Sequence, residues 1–158
     1  LKPVERDRLI EAVEKGLAER ERNRKLSLAE RMVDDRLLDL DRRLPANGAI
    51  RQVMEHVGAH LEEPIGLKEA ASIAHMNASY FSVLFKEQCG MTFREYVIRR
   101  RVAKAKELLL STDLSVEEIA AKVGYRNAKH FVEMFKEQTG MSPARYRKWT
   151  GGEDENGD

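Results

Sequence analysis

Hydrophobic side chains recur at helical spacing along nearly the whole chain. Apolar positions three or four residues apart, with charged residues between them, are typical of amphipathic helices. One such stripe covers residues 4–24 and a second covers residues 28–44. A third, over residues 50–61, begins after the Pro-Ala-Asn-Gly breaker at 45–48. Since no hairpin signal or alternating β-branched run occurs, the sequence predicts an all-α fold.

A sixteen-residue segment occurs twice in the second half. Residues 81–96 read FSVLFKEQCGMTFREY and residues 131–146 read FVEMFKEQTGMSPARY, with eight of the sixteen positions identical. A short helical stripe precedes each copy, at 67–74 and 116–123, and the turn of the second copy is one residue longer. A helix, a turn and a second helix, made twice, outline paired helix-turn-helix units. The large apolar residues of the repeat are expected in the core: Phe81, Leu84, Phe85, Phe131, Met134 and Phe135.

The repeat alone leaves the function open, because a duplicated helical hairpin that only fills a core gives the same stripes. The joining segment is more informative. Residues 96–110 contain no Gly or Pro and predict one continuous helix, which would span roughly 22 Å. Such a spacer could hold two recognition helices at the separation of successive major grooves, about 34 Å. Its basic side includes Arg99, Arg100, Arg101 and Lys104; it either contacts phosphates or is simply solvated.

The net charge conceals an uneven distribution. The chain carries 28 Lys+Arg against 27 Asp+Glu, for a formal net charge of +1. Residues 1–65 sum to −1, residues 66–149 to +6 and residues 150–158 to −4. The excess of positive charge therefore coincides with the repeat, which favours a nucleic-acid partner for that part. We expect the short acidic tail to be disordered.

Composition limits the classes of protein to which the chain can belong. With 42% hydrophobic and 35% charged residues, the chain fits a globular fold. No apolar run approaches the roughly 20 residues of a spanning helix, and no signal segment opens the chain. Cys89 is the single cysteine, which excludes an internal disulfide and fits the cytoplasm. We therefore expect a cytoplasmic location and no membrane partner.

An enzyme is not expected. His56 and His60 are spaced i, i+4 and could supply two metal ligands, but no third ligand is placed with them. Cys89 occupies the repeat position that Thr139 holds in the second copy, so we interpret it as a replaceable helix-end residue. No Gly-rich phosphate loop or Ser/His/Asp arrangement is visible. The sequence thus predicts no catalytic residue, no metal and no cofactor.

A longer signature surrounds the second copy. It consists of IAAKVGY at 119–125, Phe131, Phe135-Lys136, Gly140, Ser142-Pro143 and Tyr146-Arg147. With it, the stretch from about Ile50 to Trp149 resembles the DNA-binding domain of AraC/XylS-type transcription regulators, over about 100 of the 158 residues. The resemblance implies seven helices, with two helix-turn-helix units joined by a long helix. Recognition helices at 78–88 and 128–138 would enter adjacent major grooves of double-stranded DNA.

The resemblance also implies which side chains face the duplex. The base-reading candidates are Ser79, Tyr80, Ser82, Val83, Asn127, Lys129, His130, Val132 and Glu133. The phosphate candidates are Lys86, Arg94, Arg99, Arg100, Arg101, Lys104, Lys136, Arg145 and Arg147. Asn can pair with adenine, Lys can donate to guanine and Glu can accept from cytosine. Ser82 and Val83 depart from the longer polar residues of many relatives, so the first unit reads thymine methyl groups or contributes mainly shape and phosphate contacts.

A second resemblance concerns the first residues. Leu1-Lys2-Pro3-Val4, followed by a helix with Leu9, Ile10 and Val13, is similar to the end of a response-regulator receiver domain. It implies the output portion of a two-component regulator, whose phospho-accepting Asp would lie upstream of Leu1 and would link it to a sensor kinase. Activators of this architecture also contact RNA polymerase.

The sequence accordingly divides into four parts: a receiver-like remnant at 1–24, a helical connector at 25–47, the DNA-binding domain at 48–149 and the acidic tail at 150–158. The apolar stripe of the connector either pairs two protomers or packs locally, and the sequence favours neither. The rival interpretation of the whole chain is a helical protein-interaction or dimerisation module that binds no DNA. Salt separates the two, because DNA binding weakens steeply as salt rises.

Overall fold

The computed structural model describes residues 8–16 and 33–150. Residues 8–16 are helical. The helices that follow are α1 (Asp35–Arg42), α2 (Gly48–Ala59), α3 (Leu67–Ile73), α4 (Ala78–Cys89), α5 (Phe93–Ser111), α6 (Val116–Lys122), α7 (Ala128–Thr139) and α8 (Pro143–Thr150). No strand occurs in these described ranges, and the prediction of an all-α fold is confirmed.

One compact unit comprises Asp34–Tyr146. It contains both helix-turn-helix units: the first unit is α3–α4, the second unit is α6–α7, and α5 joins them. The helix at 8–16 belongs to a separate unit and exposes Leu9, Ile10 and Val13. Most of the predicted receiver-like remnant, the first part of the connector and the acidic tail lie outside the described residues.

Asparagine caps determine where three of the helices begin. The Asn47 side chain accepts hydrogen bonds from the backbone amides of Ala49 and Ile50 at the start of α2. Asn77 and Asn127 precede the two recognition helices, α4 and α7, in the same way. Each cap satisfies amide groups that have no partner within the helix, which is why Asn favours this position.

An aromatic ridge forms the core of each helix-turn-helix unit. In the first unit, Phe85 contacts Phe81, Phe93 and Tyr96 with ring centroids 5.4–5.7 Å apart. In the second unit, Phe135 contacts Phe131 and Tyr146 at 5.9 and 5.5 Å. The four phenylalanines that the two copies share (Phe81, Phe85, Phe131 and Phe135) have no exposed surface and Met134 is buried, as the sequence predicts. Leu84 is half-buried at the edge of the core.

The connector helix α1 packs within the compact unit, although the sequence predicts a domain boundary at residue 48. Leu37 and Leu40 are buried in the same core as the first unit. Asp34 accepts a hydrogen bond from Arg99 Nη1 at 2.7 Å, and Asp41 pairs with Arg100 on the same long helix. Two residues of the connector stripe, Leu37 and Leu40, therefore pack locally, whereas Val33 and Leu44 of the same stripe are exposed, and pairing of two protomers stays a prediction.

Candidate nucleic-acid interface

The turns of the two helix-turn-helix units have the same backbone geometry. In the first, the amide of Met76 donates to the carbonyl of Ala71 at 2.9 Å; in the second, the amide of Tyr125 donates to the carbonyl of Ala120 at 2.8 Å. This bond spans five residues and closes a helix end through a left-handed residue. The extra residue of the second turn comes after Tyr125, the donor of this bond. The first helix of each unit therefore ends in the same way.

The left-handed position is occupied differently in the two turns. His75 has φ +57°, whereas its counterpart Gly124 has φ +94°. A methyl group built on Gly124 would lie 2.3 Å from the carbonyl oxygen of Leu61 and 2.9 Å from Arg101 Nη2. Gly124 is therefore required by a close approach as well as by its backbone angle.

Each recognition helix presents a stripe of exposed side chains opposite its aromatic ridge. The first reading stripe, on α4, consists of Ser79, Tyr80, Val83, Lys86 and Glu87. The second reading stripe, on α7, consists of Lys129, His130, Glu133, Lys136 and Glu137. The two stripes occupy equivalent positions of the repeat, spaced so that they share one helix face. Ser82 and Val132, the other predicted base readers on these helices, are half-buried at the edges of the stripes.

A groove of about 770 Å³ lies between the recognition helices. Residues of α5 and α7, one residue of α4 and the segment at 65–67 that enters α3 line it. They include Ser82 on α4, His130, Glu133 and Glu137 on α7, and Arg94, Val97, Ile98 and Arg101 on α5. Side chains of both recognition helices therefore line one groove.

Four of the phosphate candidates are exposed in the compact unit. Lys86 and Lys136 occupy the same position in the two reading stripes. Arg94 lines the groove, and Arg145 lies in the first turn of α8. Arg147 is half-buried later in α8 and lies outside the compact unit. These positions leave the four exposed cations available to an anionic partner.

The basic residues of α5 do not share one face. Arg99 and Arg100 form ion pairs with Asp34 and Asp41 of the connector. Lys104 lies 3.4 Å from Glu107 and lines a different cavity, of about 440 Å³. Of the four candidates on α5 from Arg99 onward, Arg101 is the one that lines the groove.

This division differs from the single basic side that the sequence indicated. Successive helical residues are about 100° apart, since a turn holds 3.6 residues, so a run of three arginines must point in three directions. Which arginine meets the connector and which meets the groove depends on packing. Phosphate contact by Arg99, Arg100 and Lys104 stays an untested prediction, and the ion pairs give the first two a structural role.

Asn127 has a structural role that the base-reading prediction did not include. Its Oδ1 accepts from the amides of Lys129 at 2.9 Å and His130 at 3.4 Å, which caps α7. Pairing with adenine uses the side-chain oxygen as an acceptor together with the amide as a donor. The cap therefore competes with the predicted contact. An Asn immediately before a helical stripe is a recognised start signal, and it could have indicated the cap.

Tyr125 is a residue of the interface that was not among the predicted site residues. Its ring lies 5.7 Å from that of His130, edge to face, and 5.3 Å from the guanidinium carbon of Arg101. Burial raises the pKa of Tyr125, while the charge and hydrogen bonding of Arg101 act in the opposite direction. In the sequence, the position of Tyr125 directly after Gly124, within the signature at 119–125, could have indicated this role.

The two histidines considered as metal ligands stack on each other. The rings of His56 and His60 are 4.2 Å apart, and His60 Nδ1 lies 2.9 Å from the carbonyl oxygen of His56. Among the described residues, no group of three His, Cys, Asp or Glu side chains is placed to hold a metal ion. Within the same ranges, no helix is both long and apolar enough to cross a membrane.

Comparison with known proteins identifies relatives of this region. A helix-turn-helix domain family matches residues 70–148. The regulatory protein PocR of Salmonella typhimurium is 34% identical over 76 residues, which cover 48% of this chain and 25% of PocR. The chain thus spans about a quarter of the length of that relative.

Two solved structures share the fold over most of their length. The C-terminal domain of AraT, a response regulator from Geobacillus stearothermophilus, gives a TM-score of 0.65 at 31% identity, covering 71% of this chain and 93% of that one. The DNA-binding domain of AdpA, a global transcriptional factor solved in complex with a target DNA, gives a TM-score of 0.65 at 29% identity, covering 70% of this chain and 100% of that one.

Proposed function

The chain belongs to the AraC-type family of helix-turn-helix DNA-binding domains, and on this premise we propose that it regulates transcription by inserting α4 and α7 into adjacent major grooves of double-stranded DNA. The observation that carries the proposal is the pair of equivalent, exposed reading stripes on two helices that flank one groove. The similarity to AdpA, a domain solved with its target DNA, supports the choice of partner.

We assign base reading mainly to the stripes themselves. Lys129 can donate to guanine, Glu133 can accept from cytosine, and Val83 can contact a thymine methyl group. Lys86 and Lys136, one turn further along each helix, act on phosphates, as do Arg94 and Arg145. The duplex-binding region comprises residues 48–149, with α1 bound to it through the arginines of α5.

The whole protein is proposed to be a longer two-component response regulator that acts in the cytoplasm by binding rather than by catalysis. The similarity to the C-terminal domain of AraT, a response regulator, supports this arrangement. So does the Lys2-Pro3 step before the first helical stripe. A receiver domain upstream of Leu1 would then carry the phosphorylation site, and the DNA-bound protein would contact RNA polymerase. A homodimer would form through the connector at residues 25–47, where Val33 and Leu44 are exposed.

Selection from a pool of random duplexes tests the proposal. We expect the full chain to enrich two half-sites one helical turn apart and to bind with an affinity that falls steeply with salt. If no duplex is retained at about 50 mM salt, the chain is instead a protein-interaction module and the proposal fails.

Matched variants then separate the two kinds of contact. Lys136→Glu should weaken binding to all sequences and lower the magnitude of the salt slope by about 1. Lys129→Ala should change preference at one base pair by about 1–3 kcal/mol and leave the other positions unaltered. Arg43→Glu, an exposed change at the residue that follows α1, is the charge control. Equal losses on selected and random duplexes for Lys129→Ala would contradict its role as a base reader.

A further inference from the structure

The two halves of the compact unit meet at Arg101. This residue lies near the middle of α5, and its Nη2 atom donates to the carbonyl oxygen of Glu63 at 3.2 Å, in the segment that leads into the first unit. The same guanidinium group stacks on Tyr125 in the turn of the second unit, 5.3 Å from the ring centroid. One side chain thus contacts the α2–α3 segment and the turn of the second unit, from the helix that joins the two units.

The packing around Gly124 restricts the position of this contact. The α-carbon of Gly124 approaches the carbonyl of Leu61 so closely that a methyl group would meet it at 2.3 Å. That approach places the chain just after α2 directly against the turn of the second unit. Arg101 Nη2 lies beside it, 2.9 Å from the same methyl position. The backbone of Leu61 and the guanidinium group of Arg101 therefore both lie against Gly124.

The contact leads directly to a base-reading candidate. Tyr125 packs edge to face against His130 of the second reading stripe at 5.7 Å, and also against Phe131 of the ridge at 5.7 Å. A shift of the Tyr125 ring would therefore move the start of α7. The first unit has no counterpart of this arrangement, since Met76 stands at the corresponding place after the left-handed residue.

We propose that Arg101 is a positioning residue that holds the second unit at one distance and angle from the first, and so sets the half-site spacing that the protein accepts. The inference rests on the proposed function. It gives Arg101 a task different from phosphate contact, the role that the sequence suggested. The planar guanidinium suits the task because it donates along one edge while its face stacks on an aromatic ring.

The spacing profile distinguishes the two roles. Inserting one base pair between half-sites moves the second site by about 3.4 Å and rotates it by about 34°. A rigid protein cannot follow, so we expect the wild-type chain to lose about tenfold or more in affinity per insertion or deletion. A missing phosphate contact lowers affinity by the same factor at every spacing, whereas a released second unit flattens the profile.

The central experiment measures binding of Arg101→Met and Arg101→Lys to selected duplexes with zero, one or two base pairs inserted or deleted. Arg101→Met also removes a buried Nε donor that has no partner among the described residues, so replacing it by an apolar chain should preserve the fold. We expect both variants to lose only about threefold per inserted base pair. Arg101→Lys keeps the charge, so full recovery of the wild-type profile by lysine would overturn the proposal.

Three further variants serve as comparisons. Tyr125→Leu should flatten the profile as Arg101→Met does, because it removes the ring on which the guanidinium stacks. Tyr125→Phe keeps that ring and should retain the wild-type dependence on spacing. Arg43→Met removes one positive charge at the exposed residue that follows α1 and should leave the profile unchanged. Uniform losses at all spacings for both Arg101→Met and Tyr125→Leu would also overturn the proposal.

A measurement without DNA keeps the inference separate from the proposed function. Spin labels on Lys86→Cys and Lys136→Cys report the distance between the recognition helices. The native thiol should not compete for the label, because Cys89 is buried and burial raises its pKa to about 11. We expect one narrow distance distribution, which Arg101→Met broadens. An unchanged distribution would contradict the positioning role, while failure of the wild-type chain to bind any duplex would contradict only the function.

Discussion

The first unit (α3–α4) and the second unit (α6–α7) share one backbone frame and present different side chains. Both recognition helices begin at an Asn cap and end at a left-handed glycine, Gly90 or Gly140. Their reading stripes differ at three of five positions: serine, tyrosine and valine in the first unit stand where the second has lysine, histidine and glutamate. The residues that cap and pack the helices are constrained by hydrogen bonds and by the core, whereas the exposed residues are constrained only by the partner.

The units also differ in how they are supported. The core of the first unit continues into α1 and α2, through Leu37, Leu40 and the buried face of α2. The ridge of the second unit has fewer aromatic neighbours: Phe135 contacts two rings, whereas Phe85 contacts three. The comparison suggests that the first unit is the more stable one and that the second depends more on its contacts with α5.

Truncation of the ridge provides the strongest test. Phe85→Ala and Phe135→Ala each remove a side chain with no exposed surface, and each should lower the free energy of unfolding by about 3–5 kcal/mol. We expect the larger loss at Phe85 because it contacts more rings. Urea unfolding monitored by circular dichroism gives the two values, and hydrogen exchange shows which helices open. A loss at Phe135 equal to or greater than that at Phe85 would contradict the difference in support.

Substitutions at the left-handed turn position should have an intermediate effect. Gly124→Ala combines a strained φ of +94° with the close approach to Leu61, and should cost about 3 kcal/mol. Gly140→Ala, in the same unit, has the strained angle but nothing within 4 Å, and should cost about 1–2 kcal/mol. His75→Gly should be neutral or slightly stabilising, because it relieves strain at the corresponding turn. Equal costs for the two alanine variants in thermal unfolding would show that the close approach is not rigid.

The smallest effect concerns the last helical position of each recognition helix. Burial raises the pKa of the Cys89 thiol from 9.0 to about 11, so the folded state favours the protonated form. The resulting stability is complete below about pH 9 and is lost as the pH rises towards 11. Thr139, at the same repeat position, carries no such group and donates to the carbonyl of Phe135 at 2.8 Å.

Cys89→Thr should therefore reduce the loss of stability between about pH 8 and about pH 10.5 by about 2 kcal/mol. Burial also raises the pKa of Tyr146, to about 12, but that contribution is common to both proteins and cancels in the comparison. Urea unfolding of both proteins at the two pH values provides the measurement. An identical alkaline loss in the variant would exclude Cys89 as its source.

Particular residues show which features of the structure could be predicted from the sequence. The repeat and the phenylalanines predicted the two units and their core, because period and hydrophobicity are local properties. The long helix was predicted as 96–110 and spans Phe93–Ser111, since the Thr92 cap extends its start. The cap role of Asn127 was missed, because a polar residue at a helix start suits both a cap and a base contact.

Sequence alone determined the all-α fold, the duplicated units and much of each reading stripe, because helical period fixes which residues share a face. It did not include Glu87 and Glu137, and it placed the half-buried Ser82 and Val132 on the outward face. Tertiary structure decided the distribution of the arginines. Arg99 and Arg100 pair with the connector, while Arg101 contacts the α2–α3 segment and the turn of the second unit. Three adjacent arginines look alike in the sequence. Their tasks depend on where distant carboxylates, a carbonyl group and an aromatic ring are brought by the packing of other helices.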